Sequence, residues 1–158
     1  MCVGIVLLNK ENKVFVGKRI DHSLILKKNE FDKDQFWQMP QGGINKNENF
    51  KKAAKRELEE ETGIRSTKFI KELNEWLEYE LPKRLIGKIW NGKFRGQKQK
   101  WFIMKFIGNN NEINIKTKNP EFLDWKWIDI SKLPNVAVKF KSHIYKKLKK
   151  ELNYMNLN

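Results

Sequence analysis

Glu57, Glu59, Glu60 and Glu61 fall within five positions of a chain whose formal charge is +14. Carboxylates that close repel one another. A solvated helix face is the simplest home for them, and residues Asn47 to Thr62 read as a helix, with an asparagine near the start and Gly63 just past the end. The register opposes solvation. At about 100° of turn per residue, Phe50, Ala53 and Ala54 lie on one side, and Lys51, Lys52, Lys55 and Glu59 on the other. Glu57 and Glu61 fall on the apolar side, with Glu60 at its edge. Three carboxylates one turn apart, half-buried and unpaired, would repel and their pKa values would rise. A bound divalent cation removes the conflict, and an all-oxygen donor set suits Mg²⁺ or Mn²⁺ rather than zinc. Gly42 and Gly43, just upstream, can bring backbone carbonyls or amides close to a ligand.

At fixed spacing, Gly42, Glu48, Arg56, Glu57, Leu58, Glu60, Glu61, Gly63 and Ile64 match every fixed position of the Nudix box. The chain therefore resembles the Nudix hydrolases, which cleave nucleoside diphosphates linked to another group and use divalent metal. The resemblance implies an α/β fold, an α/β/α sandwich with a mixed β-sheet. It makes residues 1–158 a single domain, with the box at 42–64 forming loop, helix and loop. It also implies that Glu57, Glu60 and Glu61 ligate metal, helped by the carbonyl of Gly42, and that Arg56 and Glu48 orient the site. Glu121 follows Pro120 in a loop, where an acid is ordinarily solvated; by resemblance it completes the metal site or takes a proton from water. Glu57 is the first candidate for the base and Glu121 the second. Two or three Mg²⁺ or Mn²⁺ ions are expected with substrate.

The flanks narrow the resemblance. "WQMPQGGI" before the box, "WLEYELPKRL" after it, "GQKQKWF" and "PEFLDWKWID" are similar to the bacterial RNA pyrophosphohydrolase branch, also known as dinucleoside polyphosphate hydrolases, in its alphaproteobacterial form. The expected partner is thus 5′-triphosphate RNA, or else a dinucleoside polyphosphate, with a non-catalytic nucleotide- or RNA-binding Nudix fold as a third reading. The intact glutamate set opposes that third reading. By resemblance Arg19 faces phosphates, though its position alone suggests a routine surface residue. Val138, Phe140 and Lys141 match a pocket for the first base, with Tyr79 a further candidate. Phe140 reads equally well as the first core residue of the last helix. Two departures stand out. The branch's tyrosine-arginine-proline segment does not precede the first strand, so its phosphate contact is expected to be missing. Residues Asp21 to Gln35 form a longer loop, expected near the substrate mouth.

These residues need elements to hold them. "CVGIVLLN" reads as a buried strand, "VFVGKR" as a second, and "FWQMPQGG" as a short strand running into a glycine turn. "STKFIKELNEWLEYEL" reads as one or two strands, "KQKWFIMKFIG" as another, and "FLDWKWIDI" alternates like a strand with one wet face. A last helix is expected from about Val138, with Phe140, Ile144, Leu148 and Leu152 at four-residue spacing. Lys83 to Lys105 carries eight basic residues and no acid, interleaved with Trp90, Phe94, Trp101 and Phe102. Trp101 and Phe102 read as core, and Lys98 and Lys100 as phosphate contacts. The positive charge fits a polyanionic partner, although lysine and asparagine enrichment can equally reflect codon bias. One cysteine excludes an internal disulfide framework. The apolar start is too short for a membrane span. A cytoplasmic monomer that does not engage membranes is expected.

Overall fold

The computed structural model describes residues 1–20 and 37–157. The loop from Asp21 to Gln35 lies outside them. Seven strands form a mixed sheet: β1 Cys2–Leu8, β2 Val14–Arg19, β3 Trp37–Gln38, β4 Gln41–Gly43, β5 Thr67–Glu80, β6 Gly96–Phe106 and β7 Phe122–Ile128. The main order is β3-β2-β1-β6-β5, with β4 paired to β1 and β7 to β2. β1 and β6 run parallel, and the other pairs are antiparallel.

Both faces of β1 are covered, which is why its sequence is almost continuously apolar. Val3, Ile5 and Leu7 point to one layer with Phe102, Met104 and the helix α1 Phe50–Thr62, through Ala53, Ala54 and Leu58. Val6 and Leu8 point to the other, with Trp101, Ile103 and the helix α3 Ser142–Tyr154, through Ile144, Tyr145, Leu148 and Leu152. The result is an α/β/α sandwich. A short helix α2, Leu133–Val136, joins the second layer.

α1 starts three residues later than the pattern suggests. The Asn49 side chain accepts from the amides of Lys51 and Lys52, at 3.0 and 3.2 Å, and Asn47 sits at φ 62, outside the helix. Its end is as expected: Gly63 adopts φ 72 and donates its N–H to the Glu59 carbonyl. β5 is one strand, bent by register shifts near Lys71 and between Glu72 and Trp76. The glycine turn expected after Met39 is instead a strand, because Gln41, Gly42 and Gly43 pair with Gly4, Val3 and Cys2. The α3 helix begins at Ser142, after a 3₁₀ turn at Lys139–Lys141.

The starts of β1 and β6, the end of β5 and all of β4 lie at one end of the sheet, since Cys2 pairs with Gln99 and Gly43, and Tyr79 with Gln97. The residues singled out above gather at this end.

Candidate active site

Arg56 organises the acids. Its Nε and Nη2 donate to the two oxygens of Glu48 at 2.8 and 2.9 Å, a bidentate pair. Nη1 donates to Glu57 at 2.8 Å and Glu60 at 3.2 Å, and Nη2 also reaches the Gly43 carbonyl at 2.8 Å. Glu48 further accepts from the Asn45 amide. These bonds, the Arg56 guanidinium first, pull the Glu48 carboxyl down to about 2. Arg56 itself is driven upward by the same partners. The orienting pair expected from the box is thus present as a salt bridge between α1 and the loop before it.

Glu61 shows the sharpest conflict. It is 2% exposed. One carboxylate oxygen accepts from the Gln41 amide at 3.2 Å, and the other is buried with no partner among the described residues. Burial, with Glu121 and then Glu57 nearby, raises its pKa well above the usual carboxylate range. Glu57 is half-buried and also raised, by burial against the opposing pull of Arg56. Glu60 is exposed. Glu59 pairs with Arg65 and borders the same cleft as the other acids. The helical register puts Glu57 and Glu61 on the inner side, whereas Glu60 is exposed and, like Glu57, is paired with Arg56 rather than unpartnered.

Gly42 packs directly beneath Glu57. A Cβ there would collide with the Glu57 carboxyl group. Glycine here leaves the Glu57 carboxyl group free to lie against the β4 backbone.

Glu57, Glu60, Glu61 and Glu121 line one cleft of about 690 Å³, whose far wall is Thr117 and Lys118. Among the described residues, no three acidic, histidine or cysteine side chains already enclose a point that an ion would occupy. Arg56 accounts for that, since it holds Glu57 and Glu60 toward itself. The donor set nonetheless fits a hard divalent cation. It offers only oxygens, one of them buried and unpartnered, on a residue whose charge the protein does not compensate.

A second, smaller pocket lies on the α3 side, lined by Arg19, Trp37, Gln38, Val138, Phe140 and Lys141, among others. The Lys141 ammonium makes long contacts of 3.4 Å to the side-chain oxygens of Gln38 and Gln41, and stands 5.1 Å from the centre of the Tyr79 ring. Tyr79 and Phe140 pack with ring centres 5.6 Å apart. Phe140 lines this pocket and also packs against the α3-side core, from the 3₁₀ turn that precedes α3 rather than from the helix itself. Burial, and then the neighbouring Arg19, push the Lys141 pKa down to about 7. Arg19 Nε and Gln38 Nε2 are buried without a partner among the described residues. Among the described residues, no carboxylate is hydrogen-bonded to either basic side chain of this pocket.

Lys98 and Lys100 do not join this pocket. They stand on the α1 side of β6, each with its ammonium 5.6 Å from the Trp76 ring centre. Lys100 is 8% exposed, donates to the Asn74 carbonyl at 3.0 Å and pairs with Glu72. Strand alternation decides this: Gln97 and Gln99 take the pocket side, and Lys98 and Lys100 the other. Trp101 and Phe102 are fully buried, as expected of core.

Sequence reasoning missed the glutamines. Gln41 gives its backbone N–H to Glu61, while its side chain meets Lys141, Gln97 and Gln99. The only trace was its place before the glycine pair.

A carboxylate cleft and a smaller pocket bearing Arg19 and Lys141, both hung on one α/β/α sandwich, suit a phosphate-handling enzyme. The chain belongs to the NUDIX family, whose domain matches residues 1–148. Among curated proteins it is 57% identical over 150 residues to the RNA pyrophosphohydrolase of Pelagibacter ubique (strain HTCC1062), covering 95% of this chain and 89% of the relative. It is 46% identical over 154 residues to the RNA pyrophosphohydrolase of Bartonella clarridgeiae, covering 95% and 87%. Similar solved structures include the E. coli dihydroneopterin triphosphate pyrophosphohydrolase, at TM-score 0.66 and 18% identity over 95% of this chain and 94% of that one. A C. elegans Ap4A hydrolase follows at TM-score 0.62 and 17% identity, over 97% and 98%. Those two likenesses speak for the fold.

Proposed function

We propose that this Nudix hydrolase removes pyrophosphate from the 5′ end of triphosphorylated RNA and leaves a 5′-monophosphate. The observation that carries the chemistry is Glu61, a buried carboxylate with an unpartnered oxygen, beside Glu57 and Glu121 in an open cleft. The names of the curated relatives support RNA as the substrate.

In this reading Glu57, Glu60, Glu61, Glu121 and the Gly42 carbonyl hold Mg²⁺ or Mn²⁺, two or three ions with substrate bound. Such ions neutralise phosphate oxygens and lower the pKa of water. The chain's own residues do the rest. Arg56, locked by Glu48, fixes the carboxylates of Glu57 and Glu60. Arg19 and Lys141 take the phosphates nearest the pocket, and Tyr79, Val138 and Phe140 wall the first base. Water attacks phosphorus in line, Glu57 accepts its proton, and the bond to the departing pyrophosphate breaks. Glu121 is the alternative acceptor.

The test is a side-by-side turnover comparison with Mg²⁺ on 5′-triphosphate RNA, 5′-diphosphate RNA and diadenosine tetraphosphate. Triphosphate RNA should give the highest kcat/KM. Preference for diadenosine tetraphosphate would move the assignment to dinucleoside polyphosphates, and no turnover of any of them would make the fold a binding module.

A further inference from the structure

The segment between β5 and β6, residues 82–95, takes no part in the site described above. It carries Lys83, Arg84, Lys88, Lys93 and Arg95 and no acid. A basic loop is usually a solvated face. Three observations set this one apart.

First, it is anchored. Leu85 is buried, and Ile86, Ile89 and Trp90 pack against the α3-side core. Successive turns close through Leu85 to Pro82, Lys88 to Leu85 and Gly92 to Ile89, each amide donating to the earlier carbonyl. Trp90 is held at φ 51°, a conformation that a bulky residue keeps only where its surroundings enforce it.

Second, the loop presents an aromatic ring outward. Phe94 is 58% exposed, between Lys93 and Arg95. Neither cation has a hydrogen-bond or ion-pair partner among the described residues. The fold gains nothing from an open phenyl ring flanked by two free cations, whereas a base and its phosphates match that arrangement.

Third, its position is set by the sheet. The Leu81 amide donates to the Arg95 carbonyl, extending the Tyr79–Gln97 and Glu80–Gly96 pairing by one step. Arg95 therefore lies on the same face as Gln97, which contacts Gln41.

We propose that residues 82–95 form a docking platform for single-stranded RNA downstream of the 5′ end, with Phe94 stacking on a base and Lys93 and Arg95 gripping backbone phosphates. This rests on the RNA reading above and extends it from the end being cut to the chain that follows.

The test measures binding of 5′-monophosphorylated oligoribonucleotides, which the enzyme has no pyrophosphate to remove from. Dinucleotide, tetranucleotide and octanucleotide are compared by fluorescence anisotropy across KCl concentrations. Wild type should bind the octanucleotide about tenfold more tightly than the dinucleotide, the worth of roughly one stacked base. Phe94→Ala should lose most of that gain, with melting curves checking that its fold is intact. The pair Lys93→Ala and Arg95→Ala should flatten the octanucleotide salt slope by about 1.4, from two phosphates at about 0.7 each. Equal wild-type affinity for all lengths, or full retention of the gain in Phe94→Ala, overturns the proposal. Failure of the hydrolase reading would look different: wild type would leave triphosphorylated RNA of every length uncut.

Discussion

A carboxylate buried without a compensating charge costs stability whenever it is ionised. Glu61 is such a group in the ion-free protein, with Glu57 a milder case. Glu61 binds its proton more tightly folded than unfolded, so stability falls as pH rises above the ordinary carboxylate value of 4.5, until the folded pKa is passed. Glu61→Gln should therefore melt higher than wild type at pH 8 without divalent ions, with the gap closing toward pH 4.5. Turnover runs the other way: Glu57→Gln should lose about a hundredfold or more in kcat, the usual worth of a positioned base. Near-normal turnover in Glu57→Gln would remove it from the mechanism. Lys141 has the opposite linkage. Its pKa is about 7 folded against an ordinary 10.5, so the unfolded chain holds the extra proton between those values and stability rises with pH across that window. Lys141→Met should raise the melting temperature at pH 6 and lose that advantage by pH 10, read by calorimetry across the range.

Elements decide which residues meet, and here the sequence was uneven as a guide. α1 and its acids were legible because helical periodicity is local: Glu57 and Glu61 share a face with Ala54 whatever else the chain does. The destination of Lys100 was not legible. Its side follows from how β6 pairs, and its partners, Asn74 and Glu72, belong to another strand. β4 was read as a turn for the same reason. Three residues rich in glycine carry no period, and only their pairing with β1 makes them a strand. α2 is too short, at four residues, to show a pattern. The contact between β4 and α1 carries its own prediction. A methyl group at position 42 would strike the Glu57 carboxyl, the free end of a flexible side chain. Gly42→Ala should therefore leave the melting temperature within a few degrees of wild type while cutting kcat more than tenfold, because a shift of about 1 Å in a reacting group can cost a hundredfold. A variant that unfolds, or one that keeps full activity, would show that the close approach has another purpose.

Across the whole molecule, the charge of +14 sits around a cleft lined mainly by acids. Among the described residues no helix is long and apolar enough to cross a membrane. A cation bound only by the folded chain stabilises it by mass action. Mg²⁺ should thus raise the melting temperature of wild type, and raise that of Glu61→Gln less; equal shifts would place the ion elsewhere. The glutamine on β4 has a larger consequence. Its main chain is tied to Glu61 and its side chain to Lys141, so a single residue bolts the proposed cutting end of the site to the proposed gripping end. The pairing of Gly42 with Val3 keeps that bolt from sliding. The enzyme is in effect a calliper with its jaws set at one gap. On the proposed assignment, the number of phosphates between the gripped nucleoside and the broken bond would be set by the protein's skeleton, and polyphosphates of different lengths would be cut at the same count from that end.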